Sequence, residues 1–210
     1  MIFSKISFSK KRQLRCLLPL LLSGLLLSGC GEKYPTATLD GSEWNKEWTV
    51  LGTCFGVETE LANDFTLLEN PVVLTGQDTH YATWTWGEAT DYTNADGDET
   101  DLYAAQIYML CYGTESDEEA AASIEEWIAR EAESYEVDGF SNVTTSGMDY
   151  ELMTYTVDSD TNPYSQGITA FATFSGYAVT IEISATDEFD GDVSEALLAF
   201  LDQCHYGLFE

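Results

Sequence analysis

The sequence predicts an α+β domain, an antiparallel β-sheet packed with two main helices. Three observations carry this. Segments with strand-like alternation come in runs, two later segments have helical spacing behind strong N-terminal caps, and a two-residue turn joins two strands late in the chain. Strands in runs, with helices between and after them, indicate α+β and not repeated βαβ units. The length of 210 residues fits one folded domain, and 44% hydrophobic with 13% aromatic residues is enough to fill its core.

The chain opens with a basic segment, Lys5 to Arg15, then an apolar run from Leu17 to Leu27, then Leu27-Ser28-Gly29-Cys30. Positive charge ahead of an apolar run reads as an export signal. Eleven residues interrupted by Pro19 fall short of the roughly 18 that a membrane span needs. The ending resembles the lipobox of bacterial lipoproteins. That resemblance implies cleavage between Gly29 and Cys30, fatty acylation of Cys30, and a lipid anchor facing the extracytoplasmic side; Gly31, where an aspartate would resemble an inner-membrane retention signal, leaves an outer membrane open where the cell has one. Residues 1–29 are then a signal peptide and 30–43 a lipidated tether, spanning on the order of 20 Å as a coil. The folded domain covers 44–210.

From Trp48 to Cys111 the pattern is mostly strand. Phe55, Val57, Thr59 and Leu61 share one side, and an extended Phe65 to Leu74 follows the turn-like Asn63-Asp64. His80 to Trp86 alternates, with Ala82, Trp84 and Trp86 opposite Tyr81, Thr83 and Thr85. Asn94 to Gly97 is a turn signal, and Asp101 to Cys111 reads as a largely buried strand.

Ser116 and Glu119 form a capping box, and Ala120, Ile124, Trp127, Ile128 and Tyr135 keep helical spacing behind it. Beyond Asp138-Gly139, Asn142 to Thr145 and Met148 to Val157 are extended. Ser175-Gly176 is a hairpin loop between Ile168 to Phe174 and Tyr177 to Ser184. Asp192 caps a last helix whose apolar stripe is Val193, Leu197, Phe200, Leu201 and Cys204. In the order of the helix Glu118 to Tyr135, the hairpin Ile168 to Ser184 and the helix Val193 to Cys204, the domain resembles the PsbP-like fold. That fold occurs in photosystem II extrinsic proteins, a nuclear import factor and small bacterial lipoproteins. The resemblance implies a binding or assembly factor and brings no catalytic motif with it.

Charge narrows the partners. Eight Lys plus Arg face 37 Asp plus Glu, and five of the eight lie in the first fifteen residues. Loss of residues 1–29 leaves three basic residues and a formal charge of −34. Such a surface repels phosphate, which excludes nucleic acid. Phosphate-binding loops, dinucleotide turns, zinc-helix motifs and nucleophile elbows are all absent from the sequence, so no cofactor, metal or catalytic residue is implied. His80 and His205 read as surface or terminal polar residues. The cluster Asp91, Asn94, Asp96, Asp98, Glu99 and Asp101 has tyrosine at both positions where a calcium loop on Asp96-Gly97 needs acids, and reads as a solvated hairpin tip.

Cys54, Cys111 and Cys204 remain in the folded domain. Counting three antiparallel strands between the helices puts Cys111 and Cys204 at opposite sheet edges, beyond the roughly 7 Å that a disulfide's Cα atoms allow. Cys54 is then the better partner for Cys111, with fully reduced thiols the alternative. Trp84 and Trp86 share a strand face. Either both pack under a helix, against Trp127, or they present indole rings to a glycan or a partner protein. The leading expectation is a non-catalytic binding or assembly factor of the cell envelope. The alternatives are a glycan or small-ligand binder and a carboxylate-dependent hydrolase.

Overall fold

The structure is a computed structural model that describes residues 48–51, 55–58, 61, 64–68, 72–73, 78–94, 96–158 and 162–206. The signal segment, Cys30, the tether and Cys54 lie outside the described residues. Among the described residues the strands are β1 (Trp48–Leu51), β2 (Phe55–Glu58), β3 (Thr66–Leu67), β4 (Val72–Val73), β5 (Thr79–Trp86), β6 (Thr90–Thr93) and β7 (Glu99–Leu102). They continue with β8 (Ala105–Gly113), β9 (Glu136–Thr145), β10 (Met148–Thr156), β11 (Gln166–Phe174), β12 (Tyr177–Ala185) and β13 (Cys204–Tyr206). The helices among the described residues are α1 (Asp117–Ser134) and α2 (Val193–Asp202).

The main sheet runs β3-β5-β8-β12-β11-β10-β9, with β4 also paired to β5, and each pairing in it is antiparallel. This is the α+β architecture expected. On one face the apolar side of α2 (Leu197, Phe200, Leu201) packs over Trp84, Ile107, Met109, Ile181 and Ile183. The small sheet β1-β2-β13 adds Leu51, Phe55, Val57 and Tyr206 to the same core. On the other face Ala120 and Ile124 of α1 pack over Met153, Tyr155, Phe171 and Ala178.

Both helices start as the caps dictate. The Ser116 side chain accepts from the Glu119 N–H at 3.2 Å, and the Glu119 carboxylate reaches back to the Glu115 N–H at 3.0 Å. Asp192 accepts from the Ser194 and Glu195 N–H groups at 2.8 and 2.9 Å. The hairpin tip Ser175-Gly176, with φ of 48° and 79°, has the doubly positive turn that matches strand twist. Its Gly176 N–H donates to Asp117 at 2.6 Å, which ties the tip to the start of α1.

Several elements differ from the expectation. Within Phe65 to Leu74 the described residues form two short strands on β5, and the segment Asp101 to Cys111 divides into β7 and β8. Asp138-Gly139 does not break the chain: the ladder with β10 steps from Gly139 to Val137 and leaves Asp138 as a bulge, so β9 continues through it. The last helix stops at Asp202, and Cys204 opens β13 on β2 instead of closing a helical stripe. Among the described residues four strands, β9 to β12, separate the helices, one more than the three expected. One extra strand reverses the parity, and α2 delivers Cys204 to the sheet edge that Cys111 occupies. At that edge the Ser146 hydroxyl donates to the Asp202 carbonyl at 2.8 Å, and the Phe174 and Tyr206 rings lie 5.2 Å apart.

Candidate functional site

The end of β5, the β6–β7 ribbon and the segment after β12 enclose a cleft of about 560 Å³. Trp86, Tyr103, Glu88, Asp187 and Glu188 line it, with Thr90 and Thr186. Trp86 is half-buried, and its ring meets Phe189 edge-on at 5.2 Å and 85°. Phe189 in turn packs on Phe65 at 6.4 Å, and the absence of a side chain at Gly191 admits its ring: a Cβ there would come within 2.5 Å of it. The rim is braced by hydrogen bonds. Thr186 donates to the Ala104 carbonyl at 3.2 Å, Thr90 to the Leu102 carbonyl at 3.1 Å, and Ser165 to Asp187 at 2.6 Å. Burial pushes the Tyr164 hydroxyl, bonded to the Tyr103 backbone, up to about 12. An aromatic wall with carboxylates and hydroxyls around it suits a ligand rich in hydroxyls or amines.

The other sequence-derived candidates separate. Trp84 is 0% exposed and meets Phe200 of α2 edge-on at 4.9 Å, so it offers no ring face to a ligand. Trp127 lies on the opposite side of the sheet, 6.0 Å from Tyr112, and not against either tryptophan of β5. Cys30 and Cys54 fall outside the described residues. Cys111 is buried in the main core. Cys204 is fully buried, its thiol donating to the Phe200 carbonyl at 3.3 Å, and burial pushes that thiol well above its ordinary range. His205 points the other way on β13, 3.4 Å from Glu58, so Cys204 and His205 form no nucleophile–base pair. His80 pairs with Asp78 at 3.0 Å. The acidic segment is the exposed β6–β7 hairpin, its turn closed by Asn94, which accepts from the Asp96 and Asp98 N–H groups at 3.0 and 2.8 Å.

A second cluster escaped the sequence reading. Glu131 of α1 accepts from the Thr169 hydroxyl of β11 at 2.9 Å. Glu182 of β12 accepts from Tyr155 of β10 and from Ser184 at 3.3 Å. Tyr135 stacks on Tyr155 at 4.2 Å. Burial first, and the charge of Glu182 second, raise Glu131 from 4.5 to about 7, against the opposing Thr169 hydrogen bond and Arg130. The signal was in the spacing: Glu131 lies on the apolar stripe of α1, between Trp127 or Ile128 and Tyr135, and must point at the sheet.

No family model and no curated protein matches the chain. Among solved structures it is similar to LpqN of Mycobacterium tuberculosis, which is involved in cell envelope biogenesis. The identity is 12% and the TM-score 0.45, over 73% of this chain and 84% of that one. It is also similar to the cyanobacterial PsbP (CyanoP) of Synechocystis, at 9% identity and a TM-score of 0.38, over 73% of this chain and 93% of that one.

Proposed function

We propose that this chain is a lipid-anchored cell-envelope protein that works by binding, without catalysis, and that the Trp86 cleft holds a neutral or amine-bearing glycan. The observation that carries the reading is the cleft itself: Trp86, locked edge-on by Phe189, walls a space of about 560 Å³ beside Glu88, Asp187 and Glu188. An indole suits the apolar face of a sugar ring, and the carboxylates suit its hydroxyl and ammonium groups. With 37 carboxylates in the chain, an anionic glycan is disfavoured. The lipobox supports anchoring through Cys30, which would hold the cleft at the membrane surface. The Glu131–Glu182 pair does not favour hydrolysis, because neither residue lines the cleft and the carboxylates are engaged by Thr169, Tyr155 and Ser184.

Titration calorimetry of the mature chain with N-acetylated and deacetylated chito-oligosaccharides tests the cleft. Saturable binding, tighter for the deacetylated form and lost in Trp86→Ala, is expected; equal heats for parent and variant would refute it. Cys30→Ser in the producing cell tests the anchor. Loss of labelling by a fatty-acid analogue is expected, and normal labelling would remove Cys30 as the attachment site.

A further inference from the structure

We propose that the strip of sheet beside α1, on the face away from α2, is a docking groove for a basic amphipathic helix of a partner protein. This site is separate from the Trp86 cleft and does not depend on it.

The floor follows from strand register. Across β5, β8 and β12 the residues on this face form rows, Tyr81–Leu110–Thr180 and Thr83–Tyr108–Glu182. α1 packs on β11 and β12 and touches β8 through Trp127 on Tyr112. Beside it Tyr81, Thr83, Tyr108 and Leu110 remain half-buried, with the Tyr81 and Tyr108 rings 5.9 Å apart. Two strands at a spacing of about 4.8 Å make a strip roughly 10 Å wide, the diameter of one helix. The sheet thus carries one helix on this face and has the width for a second alongside it.

The wall sets the sign of the occupant. Glu119, Ala122, Ser123 and Glu126 recur with helical spacing on one flank of α1 and line a cavity of about 600 Å³ with Tyr112, Glu115 and Asp78. Glu182 stands at the foot of α1 between Tyr108 and Thr169. Arg130 is the only Lys or Arg after residue 46. Arg130 lies one turn beyond Glu126 on the same flank, so Glu115, Glu119 and Glu126 face a single cation and the wall stays net negative. A basic partner complements it, and the tyrosine and leucine floor calls for an apolar face on the same element.

The test is fluorescence anisotropy of the mature chain with a synthetic lysine–leucine amphipathic peptide. Saturable one-to-one binding is expected, weakened by about tenfold or more in Glu126→Lys and in Leu110→Gln. Glu195→Lys makes the same charge change in the exposed first turn of α2, and Trp86→Ala alters the cleft; both should bind as the parent does. If Leu110→Gln fails to fold, Ser123→Arg on the wall replaces it, with the same loss expected. A Glu195→Lys loss equal to that of Glu126→Lys, or parent-like binding by the wall and floor variants, would reduce the attraction to overall charge and overturn the groove.

Discussion

The Tyr155 ring lies across Gly167, its partner in the β10–β11 ladder, and its hydroxyl donates to Glu182 on β12. A side chain at residue 167 would occupy the space of that ring and come within 2.6 Å of the Ile183 carbonyl oxygen. Gly167→Ala should therefore cost about 1–3 kcal/mol, the usual range for overpacking. Gly139→Ala, where a Cβ meets nothing within 4 Å, should be close to neutral. Urea midpoints of the two variants check this, and equal midpoints would contradict the crossing of Tyr155 over Gly167.

Glu131 makes stability depend on pH with a definite sign. Its pKa is about 7 in the folded chain against an ordinary 4.5, so the folded state binds the proton more tightly. The stabilisation is complete below about pH 4.5 and is lost as the pH rises through 7. Glu131→Gln keeps the neutral form, so it should melt above the parent at pH 8 and with it at pH 4. Glu125→Gln, an exposed site on the same helix, controls for the general relief of negative charge. A Glu131→Gln difference that does not vary with pH, or that matches Glu125→Gln, would count against the buried-carboxylate account.

What the sequence made legible was local. The helix caps at Ser116 and Asp192, the Ser175-Gly176 turn and the alternation of β5 and β12 depend on neighbours a few residues away, and each formed as expected. What it hid depends on distant partners. The bulge at Asp138 exists because β10 supplies the register on both sides of it, and β13 exists because β2 offers an edge. Trp84 and Trp86 look alike in the sequence, yet α2 covers the first and the segment around Phe189 only part of the second. Glu182 alternates with Thr180 and Ser184 as though on a solvent face, but α1 lies above that part of the sheet.

The two tryptophans of β5 should separate on truncation. Trp84→Ala removes a fully buried ring and should cost about 3–5 kcal/mol, much of the stability of a typical domain. Trp86→Ala removes a half-buried ring at the rim and should cost less than half as much, leaving a folded chain for binding studies. Thermal melts of both variants decide it, and comparable losses would place Trp86 in the core.

Cys204 should be chemically silent in the native chain. Its buried thiol, bonded to the Phe200 carbonyl and pushed upward by burial, has little thiolate at neutral pH. Mass spectrometry after maleimide treatment should find residue 204 unmodified in buffer and modified in urea. Native labelling at Cys204 would contradict the packing of α2 against β13.

The most direct test of the binding reading follows the indole N–H resonances of the chain's five tryptophans during titration with deacetylated chito-oligosaccharide. A saturable shift of the Trp86 resonance is expected, with Trp84 and Trp127 unmoved. A Trp86 resonance that stays fixed at saturating sugar, or equal shifts at Trp84 and Trp127, would contradict it.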